Sequence, residues 1–213
     1  MLNLLIVYDN EDLNRGEYFE ASHNHLLSNT ALELTINRQS INTELSQSNS
    51  IDHHTSQFNG NPFIFVAYAH GSSDALHVAN SEYINGQNTY LFSETLFYAC
   101  SCLSAKELGQ NLRENGCKVF LGYNAKISSL NPETEPIYYA CENAFLAHFL
   151  TTDSTIQESM SFMYDKYEEM KRHLATNYST FDAGVLGNNL NAFEIICNEE
   201  DLFLTKEDFV AMG

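Results

Sequence analysis

The sequence predicts an α/β fold, a three-layer sandwich whose mostly parallel central sheet carries helices on both faces. Two observations predict it. Short, largely apolar runs recur at Leu2–Tyr8, Phe63–Ala69, Thr95–Ala99 and Lys118–Tyr123, of strand length and too apolar for a solvated face. Stretches with helical spacing or helix-capping residues lie among these runs, and parallel strands need such crossovers to join them. Pro is scarce (3) and Gly modest (10), which leaves little material for linkers, so the 213 residues are expected to form one domain, 1–213.

The first strand, Leu2–Tyr8, runs into the turn-forming pair Asp9-Asn10. A helix over 17–29 follows, with Tyr18, Ala21, His25 and Leu26 near one face, then a short strand over Leu32–Ile36. Residues 38–60 are rich in Ser, Asn, Gln and His, carry a weak helical signal, and are where the greatest mobility of the first half is expected. Pro62 opens the strand Phe63–Ala69, and His70-Gly71-Ser72-Ser73-Asp74 closes it. Ala75–Ile84 carries turn pairs, Asn80-Ser81 and Asn85-Gly86, that suit a small hairpin. Thr95–Ala99 ends on Cys100-Ser101-Cys102, after which Ser104 is placed to cap a helix through Asn115, stopped by Gly116. Beyond the strand Lys118–Tyr123, long helices are expected near 136–151 and 154–175. Thr155 and Glu158 have capping-box spacing, with Asp153 competing for the cap. Phe193–Cys197 and Leu202–Thr205 read as a terminal hairpin around the acidic turn Asn198–Asp201.

The net charge of −18, from 28 acidic and 10 basic side chains, disfavours any role built on phosphate contacts. Nucleic acid and anionic membranes are therefore not expected as partners, whereas a basic peptide or protein fits. The five cysteines (Cys100, Cys102, Cys117, Cys141, Cys197) are odd in number and lack framework spacing, and the opening apolar run is too short for a signal peptide or a membrane span. Reduced thiols in a cytoplasmic protein follow. The pairs His23/His25 and His53/His54 share no helix face and read as surface histidines. Met160, Phe162, Met163, Tyr164 and Tyr167 read as a core face, and the isolated Gly71 and Gly122 make no phosphate loop. Neither metal nor cofactor is expected.

Chemistry in open parallel sheets gathers beyond the carboxyl ends of the strands. Two such ends carry reactive groups, His70 and Cys100, 30 residues apart. A Cys just before a helix has its thiolate favoured by the helix N-terminus, and a His at the neighbouring strand end can take the thiol proton. Gly71, lacking Cβ, lets its backbone N–H approach a substrate carbonyl as an oxyanion donor. The Cys100/Cys102 pair has no second pair to complete a zinc site. Cys102 is the rival nucleophile, placed where it more often packs.

The motifs Tyr68-Ala69-His70-Gly71-Ser72 and Phe97-Tyr98-Ala99-Cys100-Ser101-Cys102, each at a strand end, resemble those of the caspase-like cysteine peptidases, most closely the bacterial caspase-family and CHAT-type proteins. The likeness runs from Phe63 to about Lys171, roughly half the chain. It implies a caspase-like sandwich in which His70 activates Cys100 or pairs with its thiolate, and the N–H groups of Gly71 and Cys100 form the oxyanion hole. Cys100 would attack a peptide carbonyl and form an acyl-enzyme that water hydrolyses. Two departures bear on this. Ser101-Cys102 stand where caspases have Arg-Gly, and the His–Cys interval is shorter than the about 50 residues of caspases. No third triad member stands out. Asp74 is placed to orient the imidazole or line a pocket; Asn124 lies where the family builds part of its cleft; Glu133 and Glu135 follow in the same loop, and an acidic pocket there would select Lys or Arg before the scissile bond. A protein or peptide substrate, and an activating partner, follow from the resemblance. The alternatives are a catalytically silent caspase-like module that binds a partner protein, and a flavodoxin-like regulatory domain in which the two motifs coincide by chance.

Overall fold

The computed structural model describes residues 1–31, 33, 35–43 and 48–212. In chain order its strands are β1 (Leu2–Tyr8), β2 (Ile36–Ile41), β3 (Phe63–Tyr68), β4 (His70–Gly71), β5 (Leu76–Val78), β6 (Ser81–Ile84), β7 (Leu96–Cys100), β8 (Val119–Tyr123) and β9 (Phe193–Ile196). The helices are α1 (Gly16–Asn29), α2 (Ser48–Ser56), α3 (Glu107–Glu114), α4 (Glu135–Glu142), α5 (Ala144–Thr151), α6 (Ile156–Asn177), α7 (Thr180–Ala192) and α8 (Lys206–Ala211). The expected mostly parallel sheet is present: six strands in the order β2-β1-β3-β7-β8-β9, antiparallel only between β8 and β9. A separate three-stranded antiparallel sheet, β4-β5-β6, holds the expected hairpin. Its turn sits at Ala79 and Asn80, both at positive φ (49° and 62°), as tight hairpins require.

The four apolar strands are legible because the sheet is covered on both sides, and their alternation divides the core. Leu4 and Ile6, Ile64 and Val66, Leu96 and Tyr98, Val119 and Leu121 face the layer built by α1 and α4–α8. Leu5 and Val7, Phe65 and Ala67, Phe97 and Ala99, and Phe120 face α2 and α3. Each of these larger apolar side chains contributes about 1.5–3 kcal/mol on burial. The expected three-layer sandwich with helices on both faces is therefore observed.

Several local expectations are corrected. The second strand is β2, Ile36–Ile41, a polar sequence at the sheet edge; of the expected strand Leu32–Ile36, Leu32 and Leu34 lie outside the described residues. The single helix expected near 136–151 is two, broken at Asn143, where the Tyr68 hydroxyl donates to Asn143 Oδ1 and Asn143 Nδ2 donates to the Ser22 carbonyl at 2.9 Å. One residue earlier, the Tyr98 hydroxyl donates to the Glu142 carbonyl at 2.5 Å. Thr155, not Asp153, caps α6, with both bonds of the capping box formed to Glu158. Ser104 caps nothing: α3 begins at Glu107, and Ser104 Oγ donates to the Ser101 carbonyl at 3.0 Å. The terminal hairpin is absent. β9 pairs with β8, while residues 200–203 form a 3₁₀ turn and Thr205 caps α8. Helix α7 lies where the sequence carries no clear helical signal. His23 is buried, stacked on Tyr8 with ring centroids 4.2 Å apart, and is no surface histidine. Of the 160–167 set, Met160, Met163 and Tyr167 are core, while Phe162 and Tyr164 are exposed.

Candidate active site

The sheet order places a switch point between β1 and β3: the chain leaves β1 toward β2 on one side and resumes at β3 on the other. Crevices at such points lie outside the carboxyl ends of the strands. Here a cavity of about 300 Å³ opens at that position, with Ala69, His70, Cys100, Ser101 and Cys102 on its walls, together with Arg15, Tyr18 and Phe19 from α1 and its approach, Ile127–Ser129, and Glu142. His70 and Cys100 therefore reach one cavity from neighbouring strands. Strand parity explains it. Tyr68 and Cys100 are register partners on β3 and β7 facing the α1 layer, and His70 lies two residues beyond Tyr68.

The loops after β3 and β7 are locked together. Ser101 Oγ donates to the Ala69 carbonyl at 2.8 Å. A Cβ on Gly71 would stand 2.5 Å from the Cys102 carbonyl oxygen, so only glycine admits that approach. Cys102 packs outward against the next loop: Ile127 N donates to its sulfur at 3.4 Å, and its thiol donates to the Ile127 carbonyl at 3.6 Å. All five cysteines are free thiols.

His70 is half-exposed (47%), and its Nε2 lies 3.2 Å from Asp12 Oδ2, with Phe19 edge-on at 5.4 Å between ring centroids. Asp12 stands just beyond the carboxyl end of β1. Partial burial pushes its carboxyl up, but the backbone N–H groups of Asn14 and Arg15, and His70 itself, hold it below the usual range. Sequence reasoning missed Asp12 because its partner is far along the chain. The available signal was that β1 ends at the same edge of the sheet as β3.

Cys100 is only 2% exposed. Burial pushes its thiol well above the usual range, and the negative charge of Glu142, on the same cavity wall, pushes the same way. The helix-dipole argument fails, because α3 starts at Glu107 and packs on the opposite face of the sheet. Glu142, also 2% exposed, accepts a hydrogen bond from the Tyr18 hydroxyl at 2.6 Å, and burial raises its carboxyl above the ordinary value. No motif marked it. Arg15 closes the rim, with Nη2 donating to Ser129 Oγ at 2.9 Å, Nη1 3.2 Å from Glu135 Oε1, and its guanidinium 4.3 Å from the Tyr18 ring centre.

Of the other predicted site residues, Glu135 comes to the cavity rim through Arg15, which already pairs its charge. Glu133 is exposed, with its backbone N–H on Asn131 Oδ1. Asp74 is exposed, accepts from Ser72 Oγ at 2.9 Å, and lies outside the cavity wall; the carboxylate on His70 is Asp12. Asn124 is exposed at the end of β8, bonded to Glu194 Oε2 at 3.1 Å. Among the described residues, no helix is long and apolar enough to cross a membrane, and no group of three or more His, Cys, Asp or Glu is disposed to hold a metal.

No protein-family model matches the chain, and no curated protein matches it. Among solved structures it is similar to the X-ray structure of a secreted C11 cysteine protease from Bacteroides thetaiotaomicron in complex with an irreversible peptide inhibitor. The two share 11% identity over 79% of this chain and 59% of that one, with a TM-score of 0.49. This chain thus spans about three-fifths of that protein's length.

Proposed function

We propose that the chain is a cysteine endopeptidase of the caspase-like type, hydrolysing peptide bonds through Cys100 and His70. The observation that carries the reading is convergence. A thiol and an imidazole from neighbouring strand ends share one cavity, and the imidazole has a carboxylate partner in Asp12. A flavodoxin-like domain with coincidental motifs gives no reason for that third group.

In this reading Asp12 orients His70, which takes the Cys100 proton as the sulfur attacks the peptide carbonyl. The N–H groups of Gly71 and Cys100 stabilise the oxyanion, the leaving amine takes the proton, and water releases the acyl group. A preference for Lys or Arg before the scissile bond belongs to the same reading. The net charge of −18 and the Glu142 carboxyl on the cavity wall support it, whereas Glu133 and Asp74 lie outside the cavity. Five free thiols suit a reducing compartment such as the cytoplasm.

One observation favours a second reading, a catalytically silent module that binds a partner protein: Cys100 is 2% exposed, so attack requires the cavity to open, on a substrate or an activating partner. Turnover of a positional peptide library with a fluorescent leaving group, in reducing buffer, separates the two. Cys100→Ala and His70→Ala are expected to lower turnover by about 10³-fold or more, with Cys102→Ala retaining it. Loss only in Cys102→Ala transfers the nucleophile to that residue. No turnover from wild type, with or without cell extract as a source of activator, leaves the silent module.

A further inference from the structure

Glu142 has no part in the dyad, yet it lies on the wall of the same cavity as Cys100, and both are only 2% exposed. It cannot swing away. The Tyr18 hydroxyl holds Oε2 at 2.6 Å, the Tyr98 hydroxyl holds its backbone carbonyl at 2.5 Å, and Tyr68 holds the next residue, Asn143. We propose that Glu142 is a built-in restraint on Cys100: fixed on the wall of the same cavity, its carboxylate opposes a second negative charge there until its own charge is removed or matched by a cation in the cavity. The inference rests on Cys100 being the reactive thiol of the proposed peptidase.

The physical ground is that two anions side by side in a dry site are strongly disfavoured. Ionising Cys100 sends its proton to water or His70 and leaves thiolate against carboxylate. Once Glu142 is neutral, a single anion remains. The other groups facing the pair do not remove the conflict. From α1 come Arg15 and Tyr18, from β3 Tyr68 with His70 beyond it, and from β7 and its loop Tyr98 and Cys102. From β8 comes Tyr123, from α6 Tyr167, and from α4 itself Tyr138 and Cys141, while Glu135 stands behind Arg15. Burial pushes these phenols and Cys141 up, so they stay neutral near neutral pH. Arg15, the cation among them, is already shared with Glu135 and Ser129.

The test is the pH dependence of Cys100 alkylation by iodoacetamide, read peptide by peptide by mass spectrometry on the full chain. In wild type the midpoint is expected above the ordinary thiol range of about 8.5. In Glu142→Gln it moves down, raising the rate at neutral pH by about tenfold or more while the alkaline plateau stays. Glu142→Asp, which keeps the charge, retains a high midpoint. Cys141, buried next door on α4, stays unlabelled at neutral pH in each variant. A wild-type midpoint at or below the ordinary range overturns the inference without any substitution, and so does an unmoved or raised midpoint in Glu142→Gln. Faster labelling of Cys100 and Cys141 together at every pH shows an opened fold and overturns it too. Alkylation needs no peptide turnover, so failure of the peptidase reading registers separately.

Discussion

Asp12 and Glu142 are carboxylates on the two sides of the proposed dyad, but Asp12, beside His70, is partly solvated, whereas Glu142, on the cavity wall with Cys100, is buried. Asp12 stands next to an imidazole that is half-exposed, and its carboxyl is held below its ordinary value. Glu142 stands next to a thiol that becomes an anion, and its carboxyl is held above. A carboxylate favours a neighbouring cation and opposes a neighbouring anion, so on the proposed reading the same chemical group supports one half of the dyad and restrains the other. What differs is the charge each partner gains during reaction, together with the water each retains.

The largest break in this symmetry is Asp12→Asn. In the proposed mechanism it removes the group that orients His70, and peptide turnover is expected to fall by about 10²-fold, in kcat more than KM, with folding intact. A loss confined to KM would assign Asp12 to substrate binding instead. Next comes the seam that lets the two walls share a cavity. Gly71→Ala drives a Cβ to 2.5 Å from the Cys102 carbonyl oxygen, so one loop must shift. The expected cost is about 1–3 kcal/mol, read as a lower thermal midpoint; an unchanged midpoint would show that the loops are looser than their contacts.

The smallest effect, and the sharpest on the comparison, is linkage. Glu142 is raised in the folded state, so its contribution to stability is fully present below the unfolded carboxylate range and is lost as pH rises through its folded value. Asp12 is lowered, so its contribution is present above the unfolded range and is lost as pH falls through its folded value. Thermal midpoints against pH should therefore lose a downward component, over the range above the ordinary carboxylate value, in Glu142→Gln. In Asp12→Asn they should lose an upward component at the acid end. Matching slopes in the two variants would contradict the opposite shifts.

The sequence made the central strands plain because a strand buried on both faces must be apolar throughout, as Phe63–Tyr68 and Leu96–Cys100 are. Edge strand β2 reads Ile-Asn-Arg-Gln-Ser-Ile, needs no such run, and so carries no apolar signature that marks its position. Helix α7 carries two glycines and three asparagines, and forms because Ser179 caps it and Leu186 enters the core; propensity alone argues against it. At the site, His70, Gly71 and Cys100 were legible as strand-end residues in familiar neighbourhoods. Asp12 and Glu142 were not. Their placement comes from the crossing of β1 beside β3 and from the break between α4 and α5, which no local pattern encodes.

That break also orders events during synthesis. Asp12, His70, Cys100 and strands β1–β8 all precede residue 124, while Glu142 follows Cys100 by 42 residues (142 − 100). At a translation rate of about 5–20 residues per second, that gap lasts roughly 2–8 s. The hydroxyls that fix the wall wait for a partner 124 residues on, for Tyr18, or 44 residues on, for Tyr98. On the proposed reading, a growing or truncated chain thus carries the His70–Cys100 pair before the piece that restrains it, and a chain cut between β8 and α4 is where an unguarded Cys100 would be met.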